Sequence, residues 1–245
     1  MSDESAGLAP REVPAAFDAS ASAYDRLVGA NPGYHEHLRL SARRMRLPGQ
    51  GEGLRLLDVG CGTGASTAAL LAAAPRARIV AVDASGDMLA QARKKPWPAT
   101  VEFVHAPAEE LGQAGVDGPF DAILAAYLIR NVRDPDATLR DLLGRLVPGG
   151  TLAVHEYSVR DSPRARLVWD AVSWGVIIPA GRVLAGDARL YRYLHRSVRA
   201  FDGAARFQRR LRDAGYDRVH AETVPGWPNG IVHTFLASRP AGAPA

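Results

Sequence analysis

At 245 residues, 47% of them hydrophobic and 23% charged, the chain has the balance of an ordinary globular protein; this excludes a disordered chain and allows a sizeable core. One cysteine excludes an internal disulfide and fits a reducing cytoplasm. The net charge of +4 does not make a nucleic-acid binder, because the arginines alternate with acids, as in RDPDATLRDLLGR, and form no stripe.

Residues 1–16, acidic and then proline-rich, lack the basic lead and apolar run of a secretory signal and read as a mobile tail, as do residues 241–245. Between them, 17–240 reads as a single domain that opens with a helical cap at about 17–46. LRLLDV (54–59) is a buried-strand run ending in a glycine turn. STAALLAAAP (66–75) then reads as a helix, RIVAVD (78–83) as a strand, and SGDMLAQARKK as a helix with Ser85 as its N-cap. VEFVHA (101–106) and FDAILAAYL (120–128) are further strands. Asp134 and Pro135 open a helix that Pro148-Gly149-Gly150 ends, and TLAVHEY (151–157) is a fifth strand. Alternation of this kind implies parallel strands with right-handed crossovers, hence an α/β, doubly wound sheet. Residues 161–196 interrupt it with helical character. FDGAARFQRRLRDAGY (201–216) reads as an amphipathic helix ended by Gly215. DRVHAETV and GIVHTFLAS follow as two last strands joined by the turn GWPN, for seven strands in all. No apolar run reaches the roughly 18 residues of a membrane span; WGVIIPAG (174–181) is too short.

The chemistry begins at LLDVGCGTGAS, where a strand runs through glycines into a helix. Gly60, Gly62 and Gly64 let a ligand approach the backbone, and the helix N-terminus offers amide donors. The glycines alone also suit a dinucleotide. Asp58 decides between them: a carboxylate there repels a pyrophosphate but attracts the ammonium and sulfonium of S-adenosylmethionine. Asp83, 25 residues further on, ends the second strand, where a carboxylate can accept from both ribose hydroxyls or merely cap a helix. Met88 suits either an adenine face or the core.

With these motifs in view, the chain resembles the class I methyltransferases, and within them the ubiquinone/menaquinone-biosynthesis C-methyltransferase family. FDASASAYD (17–25), LLDVGCGTG (56–64), VDASGDML (82–89), IRNVRDPDATLRDLLGRLVPGG (129–150), HEYS (155–158), YRYLHRSVRAF (191–201) and GIV (230–232) carry the likeness. The resemblance implies a class I methyltransferase sheet with the cap and a helical lid at about 160–200, and S-adenosyl-L-methionine as cofactor. It puts Thr63 and Asp83 on the cofactor, Pro107-Ala108 beside adenine and Ala126 near the methionine end; Asp58, Gly60, Gly62, Ala84 and Met88 complete the expected cofactor site. Four places depart from the family pattern: Pro107 replaces a polar residue, Ala126 a serine, Tyr127-Leu128 a Phe-Gly pair, and His233 lies three rather than five residues past its glycine.

For a phenol-type acceptor, ionising the hydroxyl makes a ring carbon nucleophilic, and the enzyme supplies alignment. Arg130, Asn131 and Tyr127 are the catalytic candidates at the carboxyl edge of the sheet. Arg130 stabilises a phenolate and Asn131 orients it or a relay water; alternatively Arg130 pairs with Asp134 or Asp136. His155, His195 and His233 are base candidates or structural histidines. Tyr24 closes over the methionine portion or simply packs. Trp169, Trp174, Val176, Ile177 and Ile178 form a lid over an apolar substrate, a dimer face or core. The leading expectation is carbon methylation of a lipophilic quinol or phenol-like small molecule, with peripheral membrane contact or a homodimer as further partners. A methyltransferase of specialised metabolism acting on another scaffold stands as the alternative, as does a non-methylating cyclase or regulatory protein that binds the cofactor. No metal site is expected.

Overall fold

The structure is a computed structural model and describes residues 33–185 and 188–242. The cap below residue 33, Tyr24 included, lies outside the described residues. What is described of the cap is helix α1 (Tyr34–Arg44).

Seven strands form one sheet in the order β3-β2-β1-β4-β5-β7-β6: β1 (Arg55–Val59), β2 (Arg78–Asp83), β3 (Val101–His105), β4 (Phe120–Ala126), β5 (Leu146–Tyr157), β6 (Asp217–Thr223) and β7 (Val232–Ser238). The first five pair in parallel, while β7 runs antiparallel to both β5 and β6. This is the doubly wound, mostly parallel sheet expected. The inner parallel strands β1, β2 and β4 are mostly buried on both faces, so they read as nearly unbroken apolar runs, whereas β3 at the edge stays partly exposed. Alternate residues of β1 serve different cores. Leu57 and Val59 join the side covered by α4 (Pro135–Arg145) and α8 (Ala204–Asp213), through Leu139, Leu142, Phe207 and Leu211. Leu56 joins the side covered by α1 and α2 (Ala65–Ala73), through Leu38, Ala42, Ala69 and Leu70.

The expected caps form. Ser85 Oγ accepts from Met88 N–H at 3.1 Å to open α3 (Gly86–Arg93). Asp134 Oδ1 accepts from Ala137 N–H at 2.9 Å, with Pro135 in the first turn of α4. Two boundaries differ from expectation. β5 begins at Leu146 rather than Thr151, because Leu146 already pairs with Phe120 and Gly149 (φ 80°) bulges before pairing resumes at Thr151. The helix expected from residue 201 begins at Ala204, Phe201 being the C-cap of the preceding helix. Between β5 and α8 lie α5 (Pro163–Val172), a π turn (Ser173–Ile177), α6 (Ile178–Ala185) and α7 (Arg189–Ala200). No helix among the described residues is long and apolar enough to cross a membrane. Strand order reverses between β1 and β4, whose carboxyl ends therefore open a crevice where open α/β sheets bind ligands.

Candidate active site

β1 runs out into Gly60-Cys61-Gly62-Thr63-Gly64, whose glycines have φ of 76°, 55° and 91°, a region side chains enter only under strain. The loop is fastened on several sides. Gly60 and Cys61 N–H donate to the Val82 carbonyl at 2.8 and 3.0 Å. Gly62 N–H donates to Asp83 Oδ2 at 2.7 Å, and Lys95 Nζ to the Thr63 carbonyl at 2.7 Å. Trp97 lies against Gly64 so closely that a Cβ there would come within 2.7 Å of its ring. Leu128 lies over Gly60 in the same way, at 3.0 Å.

Asp83 receives Ser85 N–H on its other oxygen at 2.8 Å. Asp58 points into the helix side of the loop. Its Oδ2 accepts from Ser66 Oγ at 2.8 Å and Thr67 Oγ1 at 2.6 Å, while the buried Oδ1 has no partner among the described residues. Burial pushes its carboxyl up to about 7; the two hydroxyls oppose that rise and Asp83 adds to it. One oxygen of Asp58 is thus committed to α2. Ala84 follows Asp83 with its carbonyl 3.0 Å from His105 Nε2. Met88 is buried at the start of α3, and Ala108 is buried with Pro107 half-exposed beyond β3.

On the neighbouring strand, β4 ends at Ala126 and the chain turns through Tyr127, a non-glycine residue at φ 55°. Strain of that kind persists only where surroundings over-determine it, and here they do. Tyr127 N–H donates to the His155 carbonyl at 2.7 Å. The Tyr127 carbonyl accepts from Arg130 Nη1 at 3.1 Å and Asn131 Nδ2 at 3.0 Å. Its hydroxyl meets His155 Nε2 at 3.0 Å, and its ring stacks between Tyr34 at 5.8 Å and Tyr157 at 4.8 Å. Burial pushes the Tyr127 phenol well above its usual range.

Arg130 pairs with neither Asp134 nor Asp136, and both expectations are corrected. Asp134 caps α4, and Asp136 is held by Arg210. The partner of Arg130 is Glu156 on β5, at 2.5 Å, with both side chains buried. Burial raises the Glu156 carboxyl against the pull of Arg130; burial alone would lower the guanidinium, but Glu156 together with Tyr157 and Tyr193 outweighs it and Arg130 is raised. Asn131 Oδ1 accepts from Tyr193 of α7 at 3.0 Å, which joins the two narrow motifs IRNV and YRYL. Arg130 also lines a cavity of about 220 Å³ with Pro135, Ser197, Phe201, Asp202 and Arg210.

The three histidines lie apart in role. His155 is buried between Ser41 Oγ, 2.7 Å from Nδ1, and Tyr127; burial, with His37 and Arg44 nearby, pushes it down to about 3. It is therefore neutral, and it is a framework for Tyr127. His195 sits 2.8 Å from Asp170. His233 is lowered by burial, and its Nδ1 has no partner among the described residues. Among the described residues no histidine is joined to Arg130 or Asn131 by a hydrogen bond.

The sequence matches the ubiE/COQ5 methyltransferase family over residues 6–238. The chain belongs to that family. A demethylmenaquinone methyltransferase of Clavibacter sepedonicus is 35% identical over 235 residues, 95% of this chain and 92% of that one. The ubiquinone/menaquinone biosynthesis C-methyltransferase UbiE of Bradyrhizobium diazoefficiens is 40% identical over 182 residues, 72% and 70% of the two chains. Among solved structures, the [4+2]-cyclase SpnF superposes with a TM-score of 0.68 at 20% identity, covering 96% of this chain and 98% of its own. The plantazolicin methyltransferase BamL, solved with SAH, gives 0.65 at 14% identity, with 94% and 97% covered. These two likenesses show the fold. Family membership makes the chain a methyltransferase.

The structure brings Gly62 and Asp83 into hydrogen-bond contact, and likewise sets Arg130 and Asn131 on the Tyr127 carbonyl. Sequence reasoning missed the partners that fix them: Glu156, Tyr193, Ser41 and the Lys95–Trp97 latch. Glu156 did leave a signal, being a charge inside the otherwise buried strand TLAVHEY. The lid expectation divides. Trp169 and Ile178 are buried and Ile177 packs beside them, whereas Trp174 and Val176 face outward.

Proposed function

We propose that this methyltransferase uses S-adenosyl-L-methionine to methylate a ring carbon of a lipophilic quinol or phenol-like small molecule. The observation that carries the reading is the juxtaposition, across the β1–β4 crevice, of a glycine loop flanked by two carboxylates with the buried Arg130–Glu156 pair. The buried Asp58 disfavours a pyrophosphate and suits a cation. In this reading Asp83 accepts from the ribose hydroxyls, while Gly60, Gly62, Thr63 and Ala84 line the ribose and methionine path. Met88, Pro107 and Ala108 flank adenine, and Ala126 stands at the methionine end. The bound cofactor supplies a methyl group on a sulfonium. The chain's own task is alignment. Arg130 offers positive charge to a developing phenolate, Asn131 orients that oxygen, and Tyr127 walls the acceptor side. The phenol proton passes to water, and the ring carbon takes the methyl group as its bond to sulfur breaks and the thioether leaves. The ring proton is then lost to water and the oxygen regains one proton, so that one proton is released overall.

Tyr127 stacked on Tyr34, with Leu128 over Gly60, favours a second reading in which the acceptor is another small-molecule scaffold. Mass spectrometry of the chain with cofactor and demethylmenaquinone-type or other phenolic acceptors distinguishes them by which substrate gains one methylene unit. Asp83→Ala should weaken binding of S-adenosylhomocysteine by about 1.5–3 kcal/mol, the worth of hydrogen bonds to a charged group. No product from any acceptor, or unchanged calorimetric affinity in the variant, would count against the reading.

A further inference from the structure

The helical run from Pro163 to Ala185 passes through α5, the π turn and α6 without a break. Its inner side is anchored by Ala165, Trp169 and Ile178, all buried. Its outer side should then be polar, as on a helix covering a globular core, but it is not. Leu167 is 71% exposed, Trp174 57%, Val176 61% and Val183 82%. Arg164, Leu167, Ala171 and Trp174 are spaced to share one helical face, and all are exposed. Beyond the π turn, Val176, Arg182 and Val183 continue the exposed set. Exposed apolar groups gathered in this way mark a surface that meets something.

Charge says what it meets. Residues 161–200 hold seven arginines against three aspartates, a surplus equal to the net charge of the whole chain. Arg164 and Arg182 bracket the apolar stripe, and neither has an acidic partner among the described residues. A second copy of the chain would bring the same arginine surplus face to face with itself across a twofold interface, and like charges repel. Aliphatic side chains with one tryptophan, rimmed by arginine, instead match a helix lying in the plane of a lipid interface. There apolar groups enter the acyl boundary and basic groups stay at the headgroups.

We propose that the outer face of residues 163–185 docks on an anionic lipid bilayer. The inference deepens the proposed function, since a lipophilic acceptor dissolves in such a bilayer, and it rests on that reading only for its purpose. Docking itself is read without acceptor or methyl transfer, so the two can fail separately. The experiment is co-sedimentation of the full chain with phosphatidylglycerol–phosphatidylcholine vesicles, against phosphatidylcholine alone. The wild type should pellet with the anionic vesicles, and added salt should release it. Trp174→Ser/Val176→Ser/Val183→Ser should weaken binding at least about tenfold. Arg164→Gln/Arg182→Gln should weaken it about fivefold for each arginine removed. Unchanged melting temperatures in both variants establish that folding is not the cause. The proposal is overturned if the wild type stays in the supernatant or both variants bind as tightly as it does. It is equally overturned if sedimentation velocity shows a dimer that the apolar variant dissociates, because a second copy would then cover the face.

Discussion

Consider replacing Arg130 with Met. The substitution removes the charged partner of Glu156, a carboxylate with no exposure of its own, and leaves it the backbone N–H groups of Tyr157, at 2.9 Å, and of residue 130 as donors. Breaking a buried pair from one side costs about 3–5 kcal/mol, because the other charge is left uncompensated. The Tyr127 carbonyl also loses the Arg130 donor, worth about 1 kcal/mol, although Asn131 still serves it. Glu156→Leu alone strands the guanidinium at similar cost. The double variant Arg130→Met/Glu156→Leu removes both charges and should recover most of the loss, leaving a coupling of at least about 2 kcal/mol in the cycle. The pH dependence has a definite sign. Without Arg130, burial holds the Glu156 carboxyl above its unfolded value near about 4.3. A raised acid contributes stability that is present below the unfolded value and lost as pH rises through the folded one. The Arg130→Met penalty should therefore be small near pH 4.5 and full at neutral pH. Urea denaturation of wild type, both single variants and the double variant at these two pH values reads all of this. On the functional side the double variant, though folded, should lose about 10²–10³ in kcat while S-adenosylhomocysteine affinity holds. Additivity within about 0.5 kcal/mol, or a penalty indifferent to pH, would refute the argument.

Two further outcomes follow from the buried titrating groups. With the Asp58 carboxyl at about 7, a ligand cation beside it should expel a proton, so cofactor affinity should rise with pH by up to about tenfold per unit below 7 and level off above; titration calorimetry that finds a flat profile, or the same slope in Asp58→Asn, removes Asp58 from contact with the cation. His155, held down to about 3 against about 6.5 when unfolded, binds fewer protons folded than unfolded, so its contribution is full above about 6.5 and falls by up to about 1.4 kcal/mol per unit as pH drops toward 3. His155→Gln should flatten the urea midpoint against pH in that range, and an unaltered slope would assign the acid sensitivity elsewhere.

Much of the sheet was legible because each parallel strand is a short apolar run closed by a turn signal, and both helix starts at Ser85 and Asp134 follow from hydrogen bonds made within a few residues. What was not legible depends on residues far apart in the chain. Arg130 had plausible acids four and six residues away, yet its partner lies on β5 beside it in space. Local spacing could not reveal that β4 and β5 set Arg130 and Glu156 together. Trp174 follows the regular spacing of Arg164, Leu167 and Ala171 onto the exposed face, which its apolar character alone does not reveal. The π turn at Ser173–Ile177 inserts an extra residue per turn, which shifts the faces only beyond it. The start of β5 was misplaced because Pro148-Gly149-Gly150 is the usual chemistry of a break, and here it is a bulge inside a strand.

The fastened glycine loop has a thermodynamic consequence. Its shape is set before any ligand arrives, by Asp83 on one side and by Lys95 and Trp97 on the other. Immobilising a loose loop on association would consume part of the gross interaction energy; here that entropy is surrendered during folding instead. Affinity on this side of the crevice is accordingly sensitive to residues such as Lys95 and Trp97, which hold the loop from behind and act through the ensemble of the empty protein.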